Sequence, residues 1–469
     1  MTSGNSTDEP LATGNQEARE RLGRMADGFL LHDREILARQ DDSVVRIAGG
    51  GAVFLRRARG YAPVPLSLPV PSPVPLLAVG PHLKSTFALV SGGTAFVSQH
   101  LGDLESVETL DHFHDTLARF QRLFRIHPEV VVRDLHPGYL STRLAKELAE
   151  DWGCESAMPV QHHHAHVAAV LAEHGESGPV VGVSFDGTGY GEDGRVWGAE
   201  ILDADLVSFR RMGHLRYAPL PGGEAAVRNP WRTAAGYLSL EPEREGDFEL
   251  AFRGVSDRER ETVGIQARRR VNAPLASSMG RLFDAAAAVL GLRGRCAYEG
   301  QAAMEMEALA SGNPPGAPVG RAILPFPWAR DPSGLLVMDP LPLLAALGES
   351  RQAGEEAERL ALSFHQAVIR TTREMVMEVC RVMGRDTVAL GGGVFQNAIL
   401  LEGLAGTLED AGLRVLVPGL LSPNDGAISY GQAAVAAARL AGGQEVPPSR
   451  VRAHRSADSS ISEALKGGR

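Results

Sequence analysis

Cysteine is nearly absent. Cys154, Cys296 and Cys380 are the only three in 469 residues, widely spaced, odd in number and with no CxxC pair. This argues against a disulfide scaffold and against an all-cysteine zinc site. Long apolar runs are lacking too: no stretch of about 18 such residues occurs, so no membrane-spanning helix is expected. The opening MTSGNSTDEP lacks the charged-then-apolar pattern of a secretory signal. Positive charge is not in excess, since 47 Lys and Arg stand against 57 Asp and Glu for a formal net charge of −10. No broad attraction to nucleic acid or to an anionic membrane follows. What is present is an ordinary globular composition, 44% hydrophobic and 22% charged, with ample length for a large core. The chain reads as a reduced, cytoplasmic, mostly α/β protein whose clustered histidines are its most unusual feature.

Residues 1–29 are polar and mixed. Residues 30–60 predict short strands in FLLHDREILAR, SVVRI and AVFLRRARGY, with Gly49–Gly51 as a turn. A proline-rich run, 63–75, predicts a semi-rigid extended linker. From Leu76 the pattern predicts a hairpin about Ser91–Gly93, helices, a strand at EVVVRDLH and a helix carrying VQHHHAHVAAVLAEHG. PVVGVSFDGTGYGEDGRVWGAEIL then predicts strand, Gly-rich turn, strand. A long helix is expected near 355–383, followed by strand, Gly loop and helix in TVALGGGVFQNAIL, and a closing helix in DGAISYGQAAVAAARLA. Two β-rich units suggest a duplicated fold with lobes at about 76–177 and 178–441 and a cleft between them. The polar residues 442–469 predict a disordered tail.

Four histidines, His162, His163, His164 and His166, fall within five residues. On a helix, positions i and i+4 share a face, so His162 and His166 can grip one ion, and imidazole suits zinc or iron. The alternative is a hydrogen-bonded histidine run at a helix start. In Asp186-Gly187-Thr188-Gly189-Tyr190-Gly191 the glycines would let backbone N–H groups approach an anion. No GK[ST] follows, and a strand follows where a dinucleotide fingerprint needs a helix. Asp186 could hold a metal, or the segment could be a tight hairpin turn. The glycines before Asn397 offer a helix N-terminus for an anion. Asp425, within Asn-Asp-Gly, reads first as a turn residue and second as an oxygen ligand. Lys84 and Arg133–Pro137 sit on or after strands and face a cleft or a sheet edge; the residues alone do not choose.

In order, AVGPHLKSTF, RDLHPGYLSTR, VQHHHAHVAA, SFDGTGYGEDG, LPGGEAAVRNPWR, SSMGRLFDAAAAVLGL, YEGQAAMEMEALA, GGGVFQNAIL and NDGAISYGQA resemble the hydrogenase-maturation carbamoyltransferase family, HypF, in its C-terminal transferase half. The resemblance covers about 76–440 and extends to tRNA threonylcarbamoyl transferases and O-carbamoyltransferases. It implies a two-lobed actin/sugar-kinase/Hsp70-like (ribonuclease H-like) α/β fold around a nucleotide and a metal. It further implies that His162, His166, Asp186 and Asp425 bind iron or zinc, and that Lys84, His162, His166 and Asp186 are catalytic. Gly187, Thr188, Gly189 and Tyr190 correspond to a first phosphate/acyl loop, and Gly391, Gly392 and Asn397 to a second nucleotide loop. Asp284 corresponds to a ribose contact, and Glu299 and Gly300 lie near the nucleoside.

Residues 1–62 resemble the last part of a YrdC-like domain, which makes carbamoyl-adenylate from ATP and carbamoyl phosphate, with Mg as an accompanying ion. The family's acylphosphatase-like domain, CxxC zinc-finger region and the first part of that YrdC-like domain have no counterpart here. The expectation is a truncated frame, a misplaced start or a separately encoded front half. The implied reaction is carbamoyl transfer to the C-terminal cysteine of a HypE-type partner, in cyanide-ligand maturation of [NiFe]-hydrogenase. The alternatives are O-carbamoylation of a small-molecule hydroxyl, and a nucleotide-binding remnant that turns nothing over. Neither nucleic acid nor membrane is an expected partner.

Overall fold

A computed structural model describes residues 5, 9–154, 157–312 and 323–443. The expected tail lies outside the described residues apart from Gly442 and Gly443, as does most of MTSGNSTD.

Two sheets are built to one plan. In the first, Leu76–Ala78, Ala88–Ser91 and Thr94–Val97 form an antiparallel meander, and Val130–Asp134 then Ala157–Val160 add in parallel beside its first strand. In the second, Val180–Tyr190, Val196–Ala204 and Phe209–Leu215 form the meander, and Thr387–Gly391 then Arg414–Leu416 add in parallel. Within each unit the spatial order is third, second, first, fourth, fifth. A parallel neighbour requires a crossover, and the helices Val107–Phe124 and Leu140–Asp151 supply it in the first unit, Ala357–Met383 and Ala398–Glu409 in the second. The VVVRD strand is buried along its whole length, as a central parallel strand must be.

Each sheet buries one face under its own helices, with Phe87, Phe113 and Leu144 in the first core and Phe283, Leu344 and Phe364 in the second. The other two faces share a third core around the helices His162–Glu173 and Ile428–Ala441. These two helices touch backbone to backbone. A Cβ on Gly431 would stand 1.9 Å from the Ala165 carbonyl oxygen, so only glycine fits there.

The front segment supplies a helix, Asn15–Leu22, with no buried residue, and a hairpin of Val44–Ala48 and Gly51–Arg56. Gly49 and Gly50 both have positive φ at its turn, as a tight hairpin turn demands. FLLHDREILAR is not a strand. It finds no ladder partner among the described residues, and Leu30 is fully exposed; its backbone is met by side chains instead, Asn15 donating to the His32 carbonyl at 2.7 Å and Gln99 to the Arg39 carbonyl at 3.3 Å. The hairpin lies against the second unit, where Arg46 donates to the Gln396 carbonyl at 3.0 Å and Gly49 N to Glu402 at 2.7 Å. The proline-rich run is extended and is laid along the first sheet. Leu66 and Ser67 pair with Ala95 and Thr94, and Leu68 N and Ser72 N donate to the Gly93 and Gly92 carbonyls, both at 2.9 Å.

Candidate active site and metal centre

Gln161 caps the helix His162–Glu173: its side-chain oxygen accepts from His164 N at 2.8 Å. This starts the helix at His162 and sets His162 and His166 one turn apart, both 1% exposed. Asp186 enters from the apolar strand Val180–Tyr190. Asp425 enters from a short turn that Asn424 closes by accepting from Gly426 N at 2.9 Å, so it is at once a turn residue and part of the cluster. His162 Nε2 lies 3.3 Å from Asp186 Oδ2 and 3.6 Å from Asp425 Oδ1; His166 Nε2 lies 3.8 and 3.6 Å from the same atoms. One potential ligand atom from each of the four falls within 4.8 Å of all the others.

The electrostatics follow from this packing. Burial alone would drive the imidazoles neutral. The charge of Asp425, with hydrogen bonds to Asp134 and Asp186, instead holds His162 well above its ordinary value, and His166 is raised through Asp186 and Asp425. Against burial, the histidines hold Asp186 well below the carboxylate range and bring Asp425 down to about 2. The site thus favours carboxylate anions facing positive charge. Two features fit a metal ion. His166 Nε2 is buried without a hydrogen-bond partner, and two imidazole nitrogens with two carboxylate oxygens form a donor set suited to iron or zinc. Glycines keep the cluster compact: a Cβ on Gly393 would come 2.9 Å from Asp186 Oδ1, and one on Gly189 would come 2.9 Å from His162.

The cluster opens onto a cavity of about 460 Å³ between the two units. Lys84, Asp186, Gly187, Thr188, Asp284, Glu299, Gly300, Asn397 and Asp425 line it. Lys84 spans the cleft, its Nζ 2.7 Å from Glu299 Oε2. Burial would lower its pKa, but Glu299, Asp425 and Asp186 raise it, so it stays charged. Asp284 pairs with Arg281 at 2.9 Å, and burial pushes its carboxyl up to about 6 despite that arginine.

The family model described as "Carbamoyltransferase, Kae1-like Domain, second subdomain" matches residues 182–432, and "HypF Kae1-like domain" matches 71–173. The chain belongs to the HypF carbamoyltransferase family. A third model, for the Sua5/YciO/YrdC group and described as "Telomere recombination", matches 1–58. The carbamoyltransferase HypF2 of Cupriavidus necator is 45% identical over 94% of this chain and 56% of its own length. HypF of Synechocystis sp. is 38% identical over 92% of this chain and 56% of its own length. A crystal structure of full-length HypF in the phosphate- and nucleotide-bound form superposes with a TM-score of 0.87 at 40% identity, covering 95% of this chain and 68% of that one. This chain therefore spans little more than half the length of these two curated relatives. The two-lobed α/β transferase fold expected from the sequence is the fold observed, and the family models describe it as Kae1-like.

Within this HypF-type cleft, both Gly loops differ from expectation. The first is no turn: the strand runs through Asp186–Tyr190, and the chain reverses at Gly191–Arg195. Pairing skips from Trp197↔Gly189 to Ala199↔Phe185, a bulge that turns Asp186 to Thr188 out of the ladder. Gly189 and Tyr190 are not in the cavity wall; Gly189 makes room for His162 and His163, and the Tyr190 carbonyl accepts from Gln161 at 3.1 Å. In the second loop several backbone donors are already in use. Ala398 N donates to Glu307 at 2.9 Å, Leu400 N to Asn397 Oδ1 at 3.1 Å and Gly393 N to Asp186 Oδ1 at 3.1 Å. One task of that loop is thus to aim Asp186. Gly391 and Gly392 pack against the backbone of His166 and Phe185.

Asp134 belongs to the site although its RDLH context left it undecided. It is fully buried, with Oδ2 2.8 Å from His162 Nδ1. A second cavity, about 490 Å³, lies between the front segment and the first sheet and shares Leu55, Lys84, Glu299 and Asn424 with the first. Arg57 lines it with a buried Nη1 that has no partner.

Proposed function

We propose that this chain transfers a carbamoyl group from carbamoyl-adenylate to the C-terminal cysteine thiolate of a HypE-type partner, in the cytoplasmic maturation of [NiFe]-hydrogenase. The observation that carries this reading is that the buried His162, His166, Asp186 and Asp425 cluster opens onto the same cavity as Lys84, Asp284 and Asn397. The thiolate attacks the carbamoyl carbon; a C–S bond forms, the C–O bond to the adenylate phosphate breaks, and AMP leaves with that electron pair. His162, His166, Asp186 and Asp425 would hold an iron or zinc ion, which when bound supplies Lewis-acid polarisation of a carbonyl.

The chain's own groups do the rest. Charged Lys84 at the cavity wall offsets negative charge gathering on the leaving phosphate. The bulged segment brings the Gly187 backbone close to the reacting group with no side chain in the way, and Thr188 adds a hydroxyl to the same wall. Asp284, with its raised pKa, is suited to a ribose hydroxyl. The adjoining front cavity, with Arg57 and Lys84 in its walls, supports formation of the adenylate from ATP, Mg and carbamoyl phosphate nearby when a front half is supplied. The phosphate- and nucleotide-bound state named for the solved relative points the same way.

The test combines this chain, a YrdC-like front half and HypE with ATP and carbamoyl phosphate, and in parallel with preformed carbamoyl-adenylate. Mass spectrometry should find one carbamoyl group on the HypE cysteine. No gain in either arm refutes the reading, and a gain on an added small-molecule hydroxyl alone transfers it to O-carbamoylation.

A further inference from the structure

We propose that His365 is a positioning residue that presents Asn397 to the cavity as a hydrogen-bond donor, so that the ligand must place an acceptor atom there. The inference rests on the nucleotide reading above and deepens it, because it assigns a polarity to one contact.

His365 is fully buried on the helix Ala357–Met383, with the rings of Phe283 and Phe364 edge-on to it. Its Nδ1 lies 2.7 Å from the Ala361 carbonyl oxygen one turn earlier. A carbonyl only accepts, so Nδ1 carries the hydrogen. Burial drives the ring's pKa down to about 4, so the imidazole is neutral and Nε2 keeps its lone pair. The carboxylate that acts on it, Glu307, is itself held by Arg46 at 2.9 Å and by Ala398 N at 2.9 Å.

The atom 2.9 Å from Nε2 must therefore be a donor, and it is Asn397 Nδ2. The opposite end of the amide gives the same answer independently: Leu400 N–H donates to Asn397 Oδ1 at 3.1 Å. An amide flip would set oxygen against a lone pair at one end and NH₂ against N–H at the other, both in buried surroundings where an unpaired polar group is costly. The orientation is thus set by hydrogen-bond polarity from Ala361 through to Leu400. The second Nδ2 hydrogen is the donor left for the cavity that Asn397 lines. A ring nitrogen, a carbonyl or a phosphate oxygen satisfies it; a group that only donates does not.

Imidazole ¹⁵N NMR on the full chain tests the polarity directly. A neutral Nδ1–H tautomer at His365 is expected at neutral pH; an Nε2–H tautomer or a charged ring overturns its role. Calorimetric titration with AMP tests the consequence. His365→Gln, which can both donate to Ala361 and accept from Asn397, should stay within about threefold of the wild type, and His365→Leu should bind about tenfold more weakly or worse. Equal affinities of the Leu variant and the wild type, or equally weak Gln and Leu variants, overturn the proposal. Should the Leu variant fail to fold, the NMR result and the Gln variant decide. A wild-type chain that binds no AMP overturns the nucleotide reading together with the ligand part of this proposal, whereas a wrong tautomer overturns His365's role alone.

Discussion

Asp134 Oδ2 accepts from His162 Nδ1 at 2.8 Å and so turns the other ring nitrogen toward Asp186 and Asp425. Asp134 Oδ1 is used as well, accepting from His136 N at 2.8 Å. A carboxylate behind a ligand histidine fixes its tautomer and raises its basicity, and losing such a partner costs roughly 10–100-fold in metal affinity. Asp134→Asn should weaken zinc or iron retention by about that factor in chelator competition while the chain stays folded. Unchanged retention would remove Asp134 from the site.

The cluster itself makes a sharper prediction. His162→Ala combined with His166→Ala should bring bound zinc or iron to background in elemental analysis, because the two remaining carboxylates are too few donors for a tetrahedral site. Full retention in that double variant would disprove the assignment.

The histidine pair is legible in the sequence because helical spacing is a strong rule, and the duplicated sheets because each unit opens on β-rich sequence broken by a Gly turn. Asp134 is not, since an aspartate at a strand end looks the same whether it meets solvent or an imidazole. Asp186–Tyr190 reads as a turn because glycine signals both reversals and bulges, and only cross-strand register separates them. His365 carries no signal of its own in the sequence, because its polarity depends on a neighbour outside its own helix. The donors at the start of Ala398–Glu409 look free until Glu307, far away in sequence, is seen to occupy one of them.

The Lys84–Glu299 pair joins the two units, but its side chains are 33% and 53% exposed. Exposed pairs contribute about 0–1 kcal/mol. Lys84→Met should therefore shift thermal stability little, yet lower carbamoyl transfer about tenfold through loss of one charge-assisted contact. Glu299→Gln should be milder. A large stability loss with unchanged transfer would make the pair purely structural.

Asp284 carries a pH signature. Its carboxyl is raised from 3.8 to about 6 by burial, so between those values the folded chain holds a proton that the unfolded chain releases. Stability from this group is complete at low pH and is lost as pH rises through about 6. The stability of the wild type minus that of Asp284→Asn should therefore fall between about pH 4 and pH 6 in denaturant titrations and flatten above. A difference that rises over that window contradicts the assignment.

Gly431→Ala places a methyl group 1.9 Å from the Ala165 carbonyl oxygen, on the helix that carries His166. Neither partner is a flexible side chain, so the helices must separate. A cost of about 1–3 kcal/mol is expected, read as a lowered melting temperature together with weaker metal retention. A neutral melt would mean the two helices can slide apart freely.

The shared core around those two helices has a consequence for synthesis. His162 and His166 leave the ribosome early, Asp186 soon after, and Asp425 only near the close of the second unit. A nascent or prematurely ended chain presents two histidines and one aspartate with no fourth donor. The donor set proposed for the metal is therefore complete only once both units have docked, and a full complement of metal in the purified chain would report that translation and folding had run to completion.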